Sequence, residues 1–205
     1  MAGVVDIAFG VSGGHIAADY AYSLYRAVID VLPWLEDEVS AGIHGLQGGT
    51  PTDRGTVIVG HRTKLVIRIP EARVSDAGAL TDRRLKLADG FIDVRTPKTR
   101  ALVPFAHINA HFVATGAAEE NEFLEQVTGE LEKLAIPPQF ICGRSQSLTA
   151  GDRKIRGFSL MLYGMKPDQS IRLMETGLGQ HRKLGCGIFL PHKSIVAFGA
   201  RDRDF

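Results

Sequence analysis

The order in which two hydrophobic periods alternate along this chain constrains its fold more than any other feature. Residues 4–11 form an apolar run rich in β-branched side chains, which reads as a buried strand ended by Ser12-Gly13-Gly14. Tyr22, Leu24, Tyr25, Val28, Ile29 and Leu32 then fall at helical spacing. A helix with one apolar face is expected there, capped by Asp19 and running to about Trp34. The solvated Glu36-Asp37-Glu38 loop leads to a short extended piece at 43–46, a turn cluster at 48–52, and strands at 57–59 and 64–69. In the last of these, Lys64, Val66 and Arg68 alternate with Leu65, Ile67 and Ile69, so one sheet face is expected to be basic. A weaker helix at 71–80 and extended segments at 85–95 complete the order strand, helix, strand, strand, helix, strand, which is ferredoxin-like.

The order then recurs. A long strand is expected at 102–114. A helix at 119–134 carries Phe123, Leu124, Val127, Leu131 and Leu134 on one face and stops at Pro137-Pro138. Strands at 140–143 and 155–162 follow, then a helix at 168–176 with Pro167 near its first turn and Gly177 at its C-terminal cap. A last strand starts at Ile188. The expectation is an α+β chain of two tandem ferredoxin-like (RRM-like, βαββαβ) folds, residues 1–100 and 101–205. The 205 residues suit two domains of about 100 each.

Net charge is +1, but its distribution is uneven. Residues 139–205 carry 11 Lys and Arg against 5 Asp and Glu, whereas residues 1–138 carry 13 against 18. A basic C-terminal third points to a patch for a polyanion. The two cysteines, Cys142 and Cys186, are too few for a disulfide framework or a four-cysteine zinc site and read as reduced thiols. No basic leader precedes the first apolar run, and no apolar stretch approaches a membrane span. A cytoplasmic protein with no membrane contact and no cofactor is expected.

The most informative stretch is residues 177–187, GLGQHRKLGCG. Gly177, Gly179, Gly185 and Gly187 bracket Gln180, His181, Arg182 and Lys183. Glycine permits positive φ and close backbone approach, so successive amides in such a loop are expected to surround a phosphate while the cations neutralise it. The segment runs from helix through loop to strand. Phosphate loops of nucleotide-binding proteins and dinucleotide fingerprints run the other way.

Residues 177–189 (GLGQHRKLGCGIF) closely resemble the glycine-rich loop of the CRISPR repeat-cleaving endoribonucleases, the Cas-six family of the RAMP superfamily. Residues 6–13 (DIAFGVSG), 19–27 (DYAYSLYRA), 32–35 (LPWL), 42–46 (GIHGL), 64–70 (KLVIRIP) and 155–158 (IRGF) resemble the subgroup named after the myxobacterial CRISPR type. The resemblance covers nearly the whole chain in order. It implies tandem ferredoxin-like folds and cleavage of precursor transcripts into guide RNAs without a metal. The 2′-hydroxyl attacks the adjacent phosphate, leaving a 2′,3′-cyclic phosphate and a 5′-hydroxyl. The implied partners are the CRISPR repeat stem-loop, the processed guide RNA and other subunits of an effector complex. A binding-only relative that holds the repeat without cutting it is the alternative.

Such a reaction needs a base for the 2′-OH, an acid for the leaving oxygen and cations for the phosphorane. Histidine suits the proton transfers because its pKa is near neutrality. His44 is the first candidate, because Gly42 and Gly45 flank it and would let its ring lie exposed in a cleft. His15, beside the start of the first helix, is second. Tyr20 is third; the resemblance implies that many members carry histidine there. His107 and His111 stand about 13 Å apart on one strand face, too far to share a metal, and no His/Cys cluster suggests one. RNA binding is expected at the glycine-rich loop and at Arg144, Arg153, Lys154 and Arg156 of the second half. Arg62 and Lys64 of the first half, beside His61, are also expected to bind RNA.

Overall fold

In the computed structural model, which describes residues 3–137 and 139–192, β1 (Val4–Gly13) occupies the first apolar run. Alternation along it sends Ile7, Phe9 and Val11 into the core and Asp6, Ala8 and Gly10 to the opposite face. β2 (His15–Ala17) and α1 (Ala21–Val31) follow. α1 buries Leu24 and Val28, but its N-cap is Tyr20 and no side chain caps it, so Asp19 does not play the expected role. Next come β3 (Gly42–Gln47), β4 (Thr50–Pro51), β5 (Thr56–Ile58) and β6 (Lys64–Pro70). The helix expected at 71–80 is reduced to the single turn α2 (Val74–Ala77) between two 3-10 turns, with Gly78 inside the segment. β7 (Arg84–Leu87) and β8 (Gly90–Ala101) form the closing hairpin.

These strands make one five-stranded sheet in the order β3-β6-β1-β8-β7. With the edge strand β7 set aside, the first, second, third and fourth principal strands lie in the order 2-3-1-4, which is the ferredoxin-like arrangement. A small separate sheet, β2-β5-β4, pairs His15 with Ile58 and Ile58 with Thr50.

The same arrangement returns with β9 (Ile108–Val113), α3 (Glu120–Lys133), β10 (Phe140–Ala150), β11 (Arg153–Leu162), α4 (Pro167–Thr176) and β12 (Leu190–Pro191). Its sheet order is β10-β11-β9-β12, again 2-3-1-4. β9 is shorter than the expected 102–114, and Pro104, which has no N–H to give a ladder, falls in the part left out. Phe123, Val127 and Leu131 of α3 pack with Phe158, Leu160 and Leu162 of β11 in a second core. Gly177 ends α4 with φ 72°. The rest of the last strand expected from Ile188 lies outside the described residues.

Two compact units result: residues 1–101 with 149–151, and 102–148 with 152–205. Among the described residues no helix is long and apolar enough to cross a membrane.

Candidate nucleic-acid interface and active site

His44 lies in β3, where the pairing with β6 slips by one residue between Ile43 and Gly45. It is the extra residue of a β-bulge, a device that re-aims a side chain. Its ring is buried against Asp6: the side chain is 1% exposed, and Nε2 lies 3.2 Å from Asp6 Oδ1. The exposed cleft position expected for it is not what the fold provides. Arg68, directly across from Asp6 in the β1–β6 register, donates from Nε to Oδ1 at 2.7 Å and from Nη2 to Oδ2 at 2.9 Å. Burial pushes the Asp6 carboxyl up, and the hydrogen bonds and charges of His44 and Arg68 more than reverse this, holding it well below the usual carboxylate range.

This network also overturns the expected basic face of β6. Arg68 is 0% exposed and Val66 is buried, so of the three residues only Lys64 reaches solvent. A buried guanidinium is tolerable only with its carboxylate, and Asp6 supplies that. The sequence held the signal, an Asp alone among the apolar and small residues of β1 and an Arg inside the apolar run of β6, because buried charges require partners.

Tyr20 supports the same bulge. Its hydroxyl accepts the Leu46 N–H at 3.0 Å. Gly45 has φ 77°, and a Cβ there would lie 3.2 Å from the Tyr20 hydroxyl. Burial pushes the phenol pKa above its ordinary value, and the Leu46 amide opposes that.

His15 is the exposed member of the three candidates. Its Nδ1 lies 3.4 Å from Thr56 Oγ1, which in turn lies 2.7 Å from Thr52 Oγ1. His15 lines two grooves. One, of about 480 Å³, is lined by His15, Thr52, Asp53, Arg54 and Thr56. The other, of about 420 Å³, is bounded by Ser12, Gly13, Gly14, His15, Arg84, Gly90, Phe91 and Asp93. Arg54, Arg84 and Phe91 were not singled out in the sequence, because nothing local marks them until β2 is placed between two turns.

In the second unit the glycine-rich segment is a wound connection from α4 to β12. Gly177, Gly179, Gly185 and Gly187 all have positive φ, as does His181. A Cβ on Gly187 would collide with the Leu178 carbonyl, and one on Gly177 would strike the Arg182 guanidinium and the Gly187 carbonyl. The amides of Gly177, Leu178, Gln180, Leu184, Gly185, Cys186 and Gly187 each donate to a backbone carbonyl, and that of Gly179 donates to the Glu130 carboxylate at 2.8 Å. The expected cage of successive amides is therefore largely spent inside the fold. The glycines provide close approach, and the outward chemistry falls to side chains.

Gln180 and His181 are exposed, while Arg182 and Lys183 are half-buried. Burial lowers the His181 pKa below 6.5, and the charge of Arg153 lowers it further, which places β11 electrostatically beside the loop. Arg144, Arg153, Lys154 and Arg156 are all exposed on β10 and β11, with Lys154 and Arg156 on one face by alternation.

His61 and Arg62 are exposed in the first unit and Lys64 is half-buried. Arg95, Lys98 and Arg100 on β8 are exposed cations that sequence reading passed over. His107 precedes β9, and its carbonyl accepts the His192 amide at 2.9 Å. Burial pushes the Cys186 thiol up to about 12; burial and then the Glu120 charge push Cys142 to about 11, so neither is a ready nucleophile.

Residues 5–194 match the family described as Cas6 Crispr. The CRISPR-associated endonuclease Cas6 of Myxococcus xanthus (strain DK1622) is 31% identical over 188 residues, covering 91% of this chain and 81% of that one. Among solved structures, a Cas6-related protein from Pyrococcus furiosus superposes with a TM-score of 0.65 at 14% identity, over 94% of this chain and 100% of that one. A RAMP protein binding different RNA substrates superposes with a TM-score of 0.64 at 13% identity, over 92% and 100%. At these identities the structural likeness is one of fold.

Proposed function

The chain belongs to the Cas6 family, and from that premise we propose that it is an endoribonuclease which binds CRISPR repeat RNA and cuts precursor transcripts into guide RNAs. The family match over residues 5–194 is the observation that carries this reading. Cleavage proceeds by attack of the 2′-OH on the adjacent phosphate, without a metal, leaving a 2′,3′-cyclic phosphate. The enzyme acts in the cytoplasm and keeps its product within a larger effector complex.

Proton transfer falls to His15, an exposed residue that lines two grooves. Arg54 in the first groove is the nearby cation for the phosphorane. His44 and Tyr20 act one step back, holding the β3 bulge. In the second unit, His181, Gln180, Arg182 and Lys183 with Arg144, Lys154 and Arg156 bind the repeat stem, and Arg62 and Lys64 add contacts from the first. The glycines 177, 179, 185 and 187 shape the loop that presents these groups. A second reading, a subunit that binds the repeat without cutting it, draws support from two candidate proton-transfer groups, His44 and Tyr20, being engaged within the fold.

Incubation of the purified protein with its repeat RNA in EDTA tests both readings. Cleavage is expected to continue in EDTA and to stop when the nucleotide 5′ to the break is 2′-deoxy. His15→Ala is expected to slow it by roughly 10²–10⁴-fold with affinity unchanged. Loss of cleavage in EDTA sinks the metal-free mechanism. Tight binding with no cleavage under any condition establishes the second reading.

A further inference from the structure

The second groove that His15 lines has a construction that the proton-transfer proposal does not use. Arg84 opens β7, and Asp93 stands opposite it on β8. Arg84 donates from Nε to Asp93 Oδ1 at 2.7 Å and from Nη2 to Oδ2 at 3.0 Å, so the guanidinium is held flat. Its central carbon lies 4.0 Å from the centroid of the Phe91 ring. Phe91 is nevertheless 41% exposed.

Gly13 and Gly14 line the same groove without side chains, and a Cβ on Gly14 would meet nothing within 4 Å. Gly90 closes the arrangement: at φ 154° it lets β8 pass so near β2 that a Cβ would lie 2.9 Å from the His15 carbonyl oxygen. The tip of the β7–β8 hairpin is thereby fixed against β2, the strand that carries His15. An edge strand gains protection from charged residues such as Arg84 and Lys86, but that protection gives no reason for an exposed phenyl ring.

We propose that Phe91 and Arg84 form a stacking platform for one nucleobase of single-stranded RNA next to the scissile phosphate, and so fix which nucleotide lies over His15. The inference rests on the endoribonuclease reading and adds a base-binding position to it. The groove volume of about 420 Å³ lies within the range of small-molecule sites. A flat guanidinium on a phenyl ring offers a planar surface that a base of any sequence can cover, with a cation–π contribution from the arginine. Ser12, whose hydroxyl accepts from Arg95 Nη2 at 3.3 Å, and His15 line the groove and carry hydrogen-bonding groups.

The test is a double-mutant cycle between protein and RNA. Affinity is measured for the intact repeat and for a series of repeats with one abasic nucleotide each around the cut. Phe91→Ala is expected to weaken binding of the intact repeat by roughly 5- to 150-fold. It is expected to add no further loss on the one abasic RNA that lacks the stacked base. Phe91→Trp should bind as wild type does. Phe91→Leu, which keeps apolar bulk and should melt as wild type does, should bind as weakly as Phe91→Ala.

Wild-type affinity in Phe91→Ala, or an equal loss on every RNA including the whole abasic series, overturns the platform. If the wild-type protein binds and cleaves while Phe91→Ala changes nothing, the platform alone falls. If the wild-type protein neither binds nor cleaves repeat RNA, the endoribonuclease reading falls and the platform with it.

Discussion

Asp6 is the one acidic residue in a strand whose other members are apolar or small, and two side chains, His44 and Arg68, depend on it. Its folded carboxyl titrates below the ordinary value of 3.8 because His44 and Arg68 outweigh the opposing effect of burial. On acidification the unfolded chain takes up this proton first. The contribution to stability is therefore whole above pH about 3.8 and is lost as pH falls through the lower folded value. Asp6→Asn leaves Arg68 buried without its carboxylate, and removing one partner of a buried pair costs about 3–5 kcal/mol. Urea unfolding at neutral pH should show that loss, and the variant's stability should vary less with acid than the wild type's. Asp6→Leu with Arg68→Met should recover much of it, since an apolar pair needs no compensation. Equal midpoints for Asp6→Asn and wild type would remove the network from any account of the bulge.

At the scale of elements, the glycine-rich connection separates two roles that a binding assay alone would confuse. Gly187→Ala forces a Cβ toward the Leu178 carbonyl at φ 64°, where a side chain costs about 1–2 kcal/mol before any clash is counted. Its melting temperature should fall, and RNA affinity should fall with it. His181→Ala removes an exposed side chain, so its stability should stay within about 0.5 kcal/mol while affinity drops. A His181→Ala variant with full affinity would move RNA binding away from this loop. The two long helices were legible in the sequence because α1 and α3 repeat their apolar residues over three or more turns. So were β1, through its apolar run, and β6, through its alternation, although the basic face which that alternation suggested did not form. The His44 bulge was not legible, since a bulge is a mismatch in register and exists only once β6 is laid beside β3. The β2-β5-β4 sheet was missed because strands of two or three residues carry no period. The amide bonding of the loop was also invisible, because three of its acceptors, Ala114, Phe112 and Glu130, lie far away along the chain.

Over the whole molecule the net charge of +1 gives no hint of a polyanion partner, yet exposed cations are gathered on particular elements. Arg144, Arg153, Lys154 and Arg156 lie along β10 and β11, where the charge of Arg153 acts on His181, and Arg95, Lys98 and Arg100 follow one another along β8. If these bind phosphates, each contact releases counterions, and affinity should fall with salt along a log–log line whose slope counts contacts, about 0.7–0.9 per phosphate. Net charge does not enter that slope; only local contacts do. Replacing Arg144, Lys154 and Arg156 together with alanine should reduce its magnitude by about 2–3 and weaken binding to unrelated RNA hairpins as much as to the repeat. Phe91→Ala, by contrast, should leave the slope unchanged, because stacking releases no counterions. A triple variant that loses affinity at constant slope would mean that these side chains act through the fold of the β10–β11 hairpin, not through phosphate. A shallow wild-type slope would rule out a phosphate-dominated interface. Equilibrium titrations at four or five salt concentrations on the three proteins separate these outcomes, because slope and intercept report charge contacts and uncharged contacts independently.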